Sequence, residues 1–314
     1  MKKFMLIMTL TLAIGSVITL NSCKKTDATA EDDSISAQDA ATVTRADDIT
    51  TDDADNAAGQ VKSFSGKTEG WWNAAVFCGV TLVDSGTAGN RTITITYDNT
   101  TTCNGVIRSG SITIVNNSNI PWNTMGSVLN ITYNNLKFTD PISGYSYTFA
   151  GTRTLTKETS GLAWQVLAEQ VTNATVTRRN QGNLSITFPD GSVRSWAVDR
   201  TRSWSSLVTN GVNVITVTVS TEGANNVDVT GTNRYGIQFT NSILTPVAAN
   251  NNLSCLWKPY QGVVNHAAKR NVTVTFGTNS AGVQTGSATN CGEGYFISYT
   301  KANGVSGTRF VPYW

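Results

Sequence analysis

Ile215-Thr216-Val217-Thr218-Val219 alternates apolar and hydroxyl side chains one by one, and that alternation decides the fold. In an extended chain successive side chains point to opposite faces, so such a run buries one face and leaves the other wet. Working outward, the same period of two returns in Thr92-Ile93-Thr94-Ile95-Thr96-Tyr97, Val128-Leu129-Asn130-Ile131-Thr132-Tyr133, Tyr145-Ser146-Tyr147-Thr148-Phe149, Leu184-Ser185-Ile186-Thr187-Phe188 and Val272-Thr273-Val274-Thr275-Phe276. Glycine or asparagine turns separate the runs at spacings of about 8–12 residues, as in sandwiches, barrels and meanders. Asn104-Gly105 and Asn303-Gly304 suit tight primed turns, and Pro189-Asp190-Gly191 suits a type I turn with a glycine bulge. The expectation is an all-β fold of about 12–14 strands in a long antiparallel meander, forming a twisted sheet or a sandwich. Leu162 to Val171 holds helix formers, yet Trp164, Val166 and Ala168 alternate and strands flank them, so the segment is expected to be strand.

The first residues differ in kind. Lys2 and Lys3 precede an apolar run from Phe4 to Leu20, which ends in Asn21-Ser22-Cys23. A positive start, a short hydrophobic stretch and a small residue before the cut read as a secretory signal. Thr9, Thr11, Ser16 and Thr19 interrupt the run, which is shorter than the ~20 residues a membrane span needs. The stretch ending at Cys23 resembles a bacterial lipobox, whose cysteine is acylated and becomes the first mature residue.

Charge is unevenly placed. Residues 24–60 hold ten acidic side chains (Asp27, Glu31, Asp32, Asp33, Asp39, Asp47, Asp48, Asp52, Asp53 and Asp55) against Lys24, Lys25 and Arg45, whereas residues 61–314 hold 18 basic and 11 acidic ones. An acidic, aromatic-free segment buries too little apolar area to offset its ordering entropy, so residues 23–60 are expected to be a flexible tether, with a short helix within Ala46 to Val61 as an option. The opposite charges of tether and body would let one lie loosely on the other. The domain reading is a signal peptide at 1–22, a lipidated cysteine and acidic tether at 23–60, and an all-β domain at 61–314. Beyond Arg178-Arg179 the body has no basic cluster, which with export argues against nucleic acid.

Four cysteines remain after Cys23: Cys78, Cys103, Cys255 and Cys291. In an exported chain an even number suggests disulfides, and four cysteines permit three connectivities. The pairs Cys78–Cys103 and Cys255–Cys291 are favoured, because each pair brackets an alternating strand and closes near a turn. Neither has the short spacing of a zinc site, and nothing implies a metal or another cofactor.

One histidine, His266, cannot build a two-imidazole metal site, and its setting predicts a surface loop. No nucleophile elbow and no phosphate-binding glycine loop occurs in the body, so no catalytic residue is assigned. Paired carboxylates for glycoside hydrolysis need only meet in space. Asp84, Asp98, Asp140, Asp190 and Glu293 fall at turn-like positions, which leaves Asp199 and Glu169, both expected within strands, as the acids to test.

The most unusual stretch runs from Arg194 to Trp204. In a strand, Arg194, Trp196, Val198, Arg200, Arg202 and Trp204 share one face, opposite Ser195, Ala197, Asp199, Thr201 and Ser203. Guanidinium groups stack on indoles, so one reading is a cation–π ladder satisfied within the sheet. The other is a platform for carbohydrate or peptide, which makes Arg194, Trp196, Arg200, Arg202 and Trp204 the candidate ligand-binding residues. Trp71, Trp72, Trp122, Trp257 and Trp314 are core or further ligand contacts.

The lipobox cysteine, the acidic spacer, Cys103-Asn104-Gly105-Val106-Ile107-Arg108-Ser109-Gly110-Ser111-Ile112, Gly151-Thr152-Arg153-Thr154, the hairpin Pro189-Asp190-Gly191 with Arg200 and Trp204, and Cys255-Leu256-Trp257 with Val274-Thr275-Phe276-Gly277 and Cys291 form a familiar set. Together they resemble a group of uncharacterised β-rich envelope lipoproteins of the Bacteroidota. The resemblance covers most of residues 75–300 and implies an outer-membrane location, with the side of the membrane open; it carries no catalytic residue. Asp33-Ser34-Ile35 also resembles the short O-glycosylation motif of these bacteria. The expected function is a lipid-anchored cell-envelope protein with a binding or structural role. Its partners are the membrane through the N-terminal lipid and a polysaccharide or an envelope protein. The alternatives are a glycan-active hydrolase using paired carboxylates, or a carrier of lipid or lipoprotein, which needs a β cavity lined by apolar side chains.

Overall fold

The alternating runs do form strands. The computed structural model describes residues 30–61, 64, 77–87, 90–103, 105–118, 120–221, 226–250, 255, 258–301 and 303–313. Within them one antiparallel sheet of 14 strands follows the order of the chain: β1 (Val80–Thr87), β2 (Asn90–Cys103), β3 (Val106–Asn116), β4 (Val128–Thr139), β5 (Ser146–Lys157), β6 (Ala174–Thr187), β7 (Val193–Thr209), β8 (Val212–Ser220), β9 (Val227–Thr232), β10 (Gln238–Asn250), β11 (Gln261–Ala267), β12 (Asn271–Thr278), β13 (Gly294–Thr300) and β14 (Ser306–Pro312). The meander breaks once. β8 pairs with β10, while the short β9 bridges β10 and β7. Phe188 N–H donates to Ser192 O at 2.9 Å and Gly191 takes φ +79°, as the Pro189-Asp190-Gly191 turn requires.

The sheet is not one half of a sandwich. It curls around a single long helix, α1 (Ala30–Gln60), which occupies most of the segment expected to be a flexible tether. At 1.5 Å per residue its 31 residues reach about 46 Å. Ala37, Ala40, Val43, Ala46, Ile49, Ala54, Ala57 and Ala58 are all buried, and so are Asp33, Asp39, Asp47, Asp52 and Asp55. Successive residues of a helix point about 100° apart, so Asp47, Asp52 and Asp53 leave it in different directions. Each nevertheless meets a strand: Asp47 meets β5 and β7, Asp52 meets β6 and β7, and Asp53 meets β3. A helix buried this far round is core. The domain boundary at 60 is therefore replaced by one body that includes residues 30–60.

Curling brings backbones close. Gly151 (φ +127°), paired with Leu184, and Gly182 (φ +134°), paired with Arg153, lie two positions out of step on β5 and β6, and a Cβ on either would come within 2.5 or 2.6 Å of a carbonyl oxygen of the opposing strand. Only glycine permits that approach where Arg153, paired with Gly182, must turn inward. The second correction is smaller: α2 (Ala163–Leu167) is a short helix where strand was expected, and it packs Ala163 and Val166 beside Trp204. Among the described residues no helix is long and apolar enough to cross a membrane. A chain beginning at Val61 lacks the filling of its own sheet. It is expected to lose the cooperative thermal transition seen by circular dichroism, and a peptide of residues 30–60 added in trans is expected to restore it. A normal transition for the truncated chain alone would contradict this dependence.

Candidate functional site

The inner face of the sheet is basic. Arg108 (β3), Arg153 and Lys157 (β5), Arg178 (β6), and Arg194, Arg200 and Arg202 (β7) all point inward and are buried. Their partners sit on α1. Asp47 takes Arg153 Nε at 3.1 Å, Arg200 Nη2 at 3.3 Å and the Tyr133 hydroxyl at 2.8 Å. Asp48 takes Arg200 Nη2 at 2.5 Å, and Asp52 takes Arg178 at 2.5 Å and Arg202 at 3.2 Å. Asp55 accepts from Lys157 Nζ at 3.0 Å and from Trp122 Nε1 at 2.6 Å, while Asp53 accepts from Arg108 and from the Tyr97 hydroxyl. Buried charges persist only when paired and hydrogen-bonded in this way.

At Asp47, Asp52 and Asp55 burial raises the proton affinity, and the neighbouring cations decide how far. At Asp47 burial is outweighed by Arg153 and Arg200, and at Asp55 by Lys157 and Arg178, so both stay below the usual carboxylate range. At Asp52 burial wins over Arg202 and Arg178 and lifts the group to about 6. Asp228 of β9 is pushed up to about 7 by burial, with Arg200 opposing.

The Arg194–Trp204 strand is β7, and its even positions do share a face, but that face looks into the molecule. Trp196 and Trp204 are each 1% exposed, and Arg194, Arg200 and Arg202 are buried with them. Arg194 lies 4.0 Å from the Phe239 ring centroid and 5.3 Å from that of Trp196, and Arg178 and Arg202 lie 4.8 and 5.3 Å from that of Trp204. The guanidinium groups do stack on rings, but the charges of Arg178, Arg200 and Arg202 are met by aspartates of α1 and not within the sheet. The face offers no open platform, because α1 covers it. Trp122 is likewise core, whereas Trp71, Trp72, Trp257 and Trp314 lie outside the described residues, as does Cys23.

His266 corrects another expectation. It lies on β11, buried at 1%, not in a surface loop. Its Nε2 is 2.9 Å from Ser36 Oγ and its Nδ1 is 2.7 Å from Asn241 Oδ1, while Asn233 Nδ2 donates to Ser36 Oγ at 3.1 Å. The chain Ser36–His266–Asn241 has the outline of a nucleophile, a base and an orienting group. Burial and the charge of Arg194 lower His266 to about 3, and Ser36 has no exposed surface, so a good base and an approach for substrate are both lacking. The arrangement pins α1 to β11. Nothing in the sequence near either residue announces it, since the two are 230 positions apart.

The two carboxylates chosen for test do not form a pair. Asp199 lies on the outer face of β7 and accepts both 2.7 Å bonds of an Arg179 fork, while Glu169 lies in the turn after α2 with φ +57°. Ser34 of the glycosylation-like motif is buried at 1%, which closes it to modification in the folded chain. Both expected disulfides, Cys78–Cys103 and Cys255–Cys291, are formed. They close loops of 25 and 36 residues, each stabilising by about 3–4 kcal/mol through the unfolded chain.

One accessible concavity lies beside the N-terminal half of α1. The cleft, about 490 Å³, is lined by Tyr145, Tyr147, Phe188, Arg234, Tyr235 and Arg309, with Asp39 of the helix at its base. Tyr145 and Tyr235 are 39% and 37% exposed. Arg234 is held by both Asp39 oxygens at 2.8 and 2.6 Å and stacks 4.4 Å from the Phe188 ring centroid. The sequence reading passed over these residues because they come from four separate turns and strands. No protein-family model matches the chain, and no curated protein or solved structure does so either.

Asp228 makes the interior sensitive to pH. Its folded value of about 7 lies above the ordinary 3.8, so the native state holds the proton more tightly than the unfolded chain. Its contribution to stability is therefore full below about pH 4 and is lost as pH rises through 7. Asp228→Asn removes this loss. Its melting temperature is expected to exceed that of wild type at pH 8 by several degrees, with the gap closing towards pH 4; a gap that does not change with pH would refute the assignment.

Proposed function

We propose that the protein is a lipid-anchored, non-catalytic binding protein of the cell envelope, held in the outer membrane through Cys23 and taking a polysaccharide in the cleft beside α1. The observation that carries the reading is the cleft itself: half-exposed tyrosine rings offer flat apolar area for sugar rings, and Arg234 and Arg309 offer donors to hydroxyl groups. The indoles first considered for this role are covered by the helix, which moves the binding surface from the strand face to the cleft. The anchor reading draws on Lys2, Lys3, the apolar run and Cys23. Since α1 begins at Ala30, only residues 24–29 separate such an anchor from the folded body, and Gln38 and Asp39 near that end line the cleft. On this reading the cleft works close to the membrane surface.

Two measurements test the two halves. Cys23→Ser is expected to leave unprocessed precursor and to abolish labelling by a palmitate analogue; normal maturation and labelling of the variant would remove the anchor. On a glycan array, the full-length protein is expected to retain specific polysaccharides. Tyr145→Ala and Tyr235→Ala are each expected to weaken retention about tenfold, or about 1.4 kcal/mol, with the thermal transition unchanged. Retention indifferent to both substitutions would take the ligand out of the cleft.

A further inference from the structure

A second space lies inside the molecule, between α1 and the part of the sheet from β7 to β13. It measures about 100 Å³. On the helix side Ala37, Ala40 and Ala41 present methyl groups, with Thr42, Thr44, Arg45 and Asp48 beside them, and Val217, Ile243 and Val264 face them from the sheet. At one end stand Arg200 of β7 and Asp228 of β9, only 2% and 5% exposed. Arg200 directs Nη2 to Asp47 and Asp48, but its Nη1 has no hydrogen-bond partner among the described residues and stops 4.0 Å from Asp228 Oδ2. Asp228 Oδ1 has none either.

Two orphaned polar groups at the end of an apolar cavity require an occupant. Water answers only part of this: it can pair with Arg200 and Asp228, but along Ala37, Ala40, Val217, Ile243 and Val264 it finds none of the roughly 2–4 polar partners each molecule needs. His266 and Asn241 also reach the wall, yet they commit their polar atoms to each other and to Ser36. At about 10–15 Å³ for each water-sized occupant, the space of about 100 Å³ suits a chain of roughly seven to ten heavy atoms, the two carboxyl oxygens included.

We propose that this cavity binds a medium-chain aliphatic carboxylic acid, with its carboxyl group at Arg200 and Asp228 and its chain along the alanine face of α1. A carboxyl group presents two oxygens, one to accept from Arg200 Nη1 and one to share a proton with Asp228 Oδ1; a hydroxyl group presents only one. The high proton affinity of Asp228 favours such sharing. This adds a second, interior site to the binding role proposed above and uses none of the cleft residues, so the failure of either reading leaves the other distinguishable.

The test is a titration of the full-length protein, in dodecyl maltoside micelles, with octanoate carrying carbon-13 at its carboxyl group. Wild type is expected to give one saturable bound resonance, separate from the micellar one. Ala41→Leu fills the space from the helix side and Val264→Phe from the sheet side. At least one of them should fold with an unchanged thermal transition and bind octanoate at least tenfold more weakly. A tenfold excess of 1-octanol is expected not to displace the acid. Absence of the resonance in wild type, its persistence in a folded occluded variant, or displacement by octanol would each overturn the proposal.

Discussion

The structure depends on the match between an acidic helix and the basic inner face of a sheet. Each partner supplies what the other lacks. A sheet curled this far leaves a hollow that its own side chains do not fill, and α1 is rich in aspartate and threonine, which favour helix interiors weakly. Together they bury aspartates against arginines from β3 to β7, with alanines filling the gaps between charges. Removing one member of a buried pair typically costs about 3–5 kcal/mol, because the other is left charged in a dry interior.

That match also gives specificity to a helix with little shape of its own. Alanine methyl groups alone would let α1 slide or rotate by a residue without large loss. Asp47 prevents this, since it must meet Arg153, Arg200 and Tyr133 together, while Ser36 must meet His266 and Asn233 some three turns away. The polar contacts fix the register, and the apolar ones supply the bulk of the contact.

The strands were legible because period two is written residue by residue, and the disulfides because each cysteine pair brackets its own strand. The shared phase of Arg194, Trp196, Arg200, Arg202 and Trp204 was legible too, but not the direction in which that face looks. That depends on what covers it, and the cover lies about 150 positions earlier in the chain. In the acidic segment low hydrophobicity points to a tether, and the opposite charge of the body points only to a loose association, which understates how completely the aspartates are buried. Two signals are present: apolar residues at three-residue steps from Ala37 to Ile49, resumed at Ala54, Ala57 and Ala58, and a charge excess opposite to that of the body. Charge complementarity can replace apolar area as the reason to order a segment, provided the partner is already rigid. The short helix at Ala163–Leu167 was missed for the opposite reason, since alternation of Trp164 and Val166 fits either structure over so few residues.

The pinning of Ser36 to His266 bears on how the chain reaches its final form. The helix is synthesised first, yet its contacts lie on strands spread from β2 to β14, so enclosure cannot finish until the last of them exists. Loop closure over such separations slows folding, and the half-built sheet spends that interval with open edges and a bare arginine face. The segment that ends as the centre of the molecule is thus the first to be made and the last to be fully enclosed.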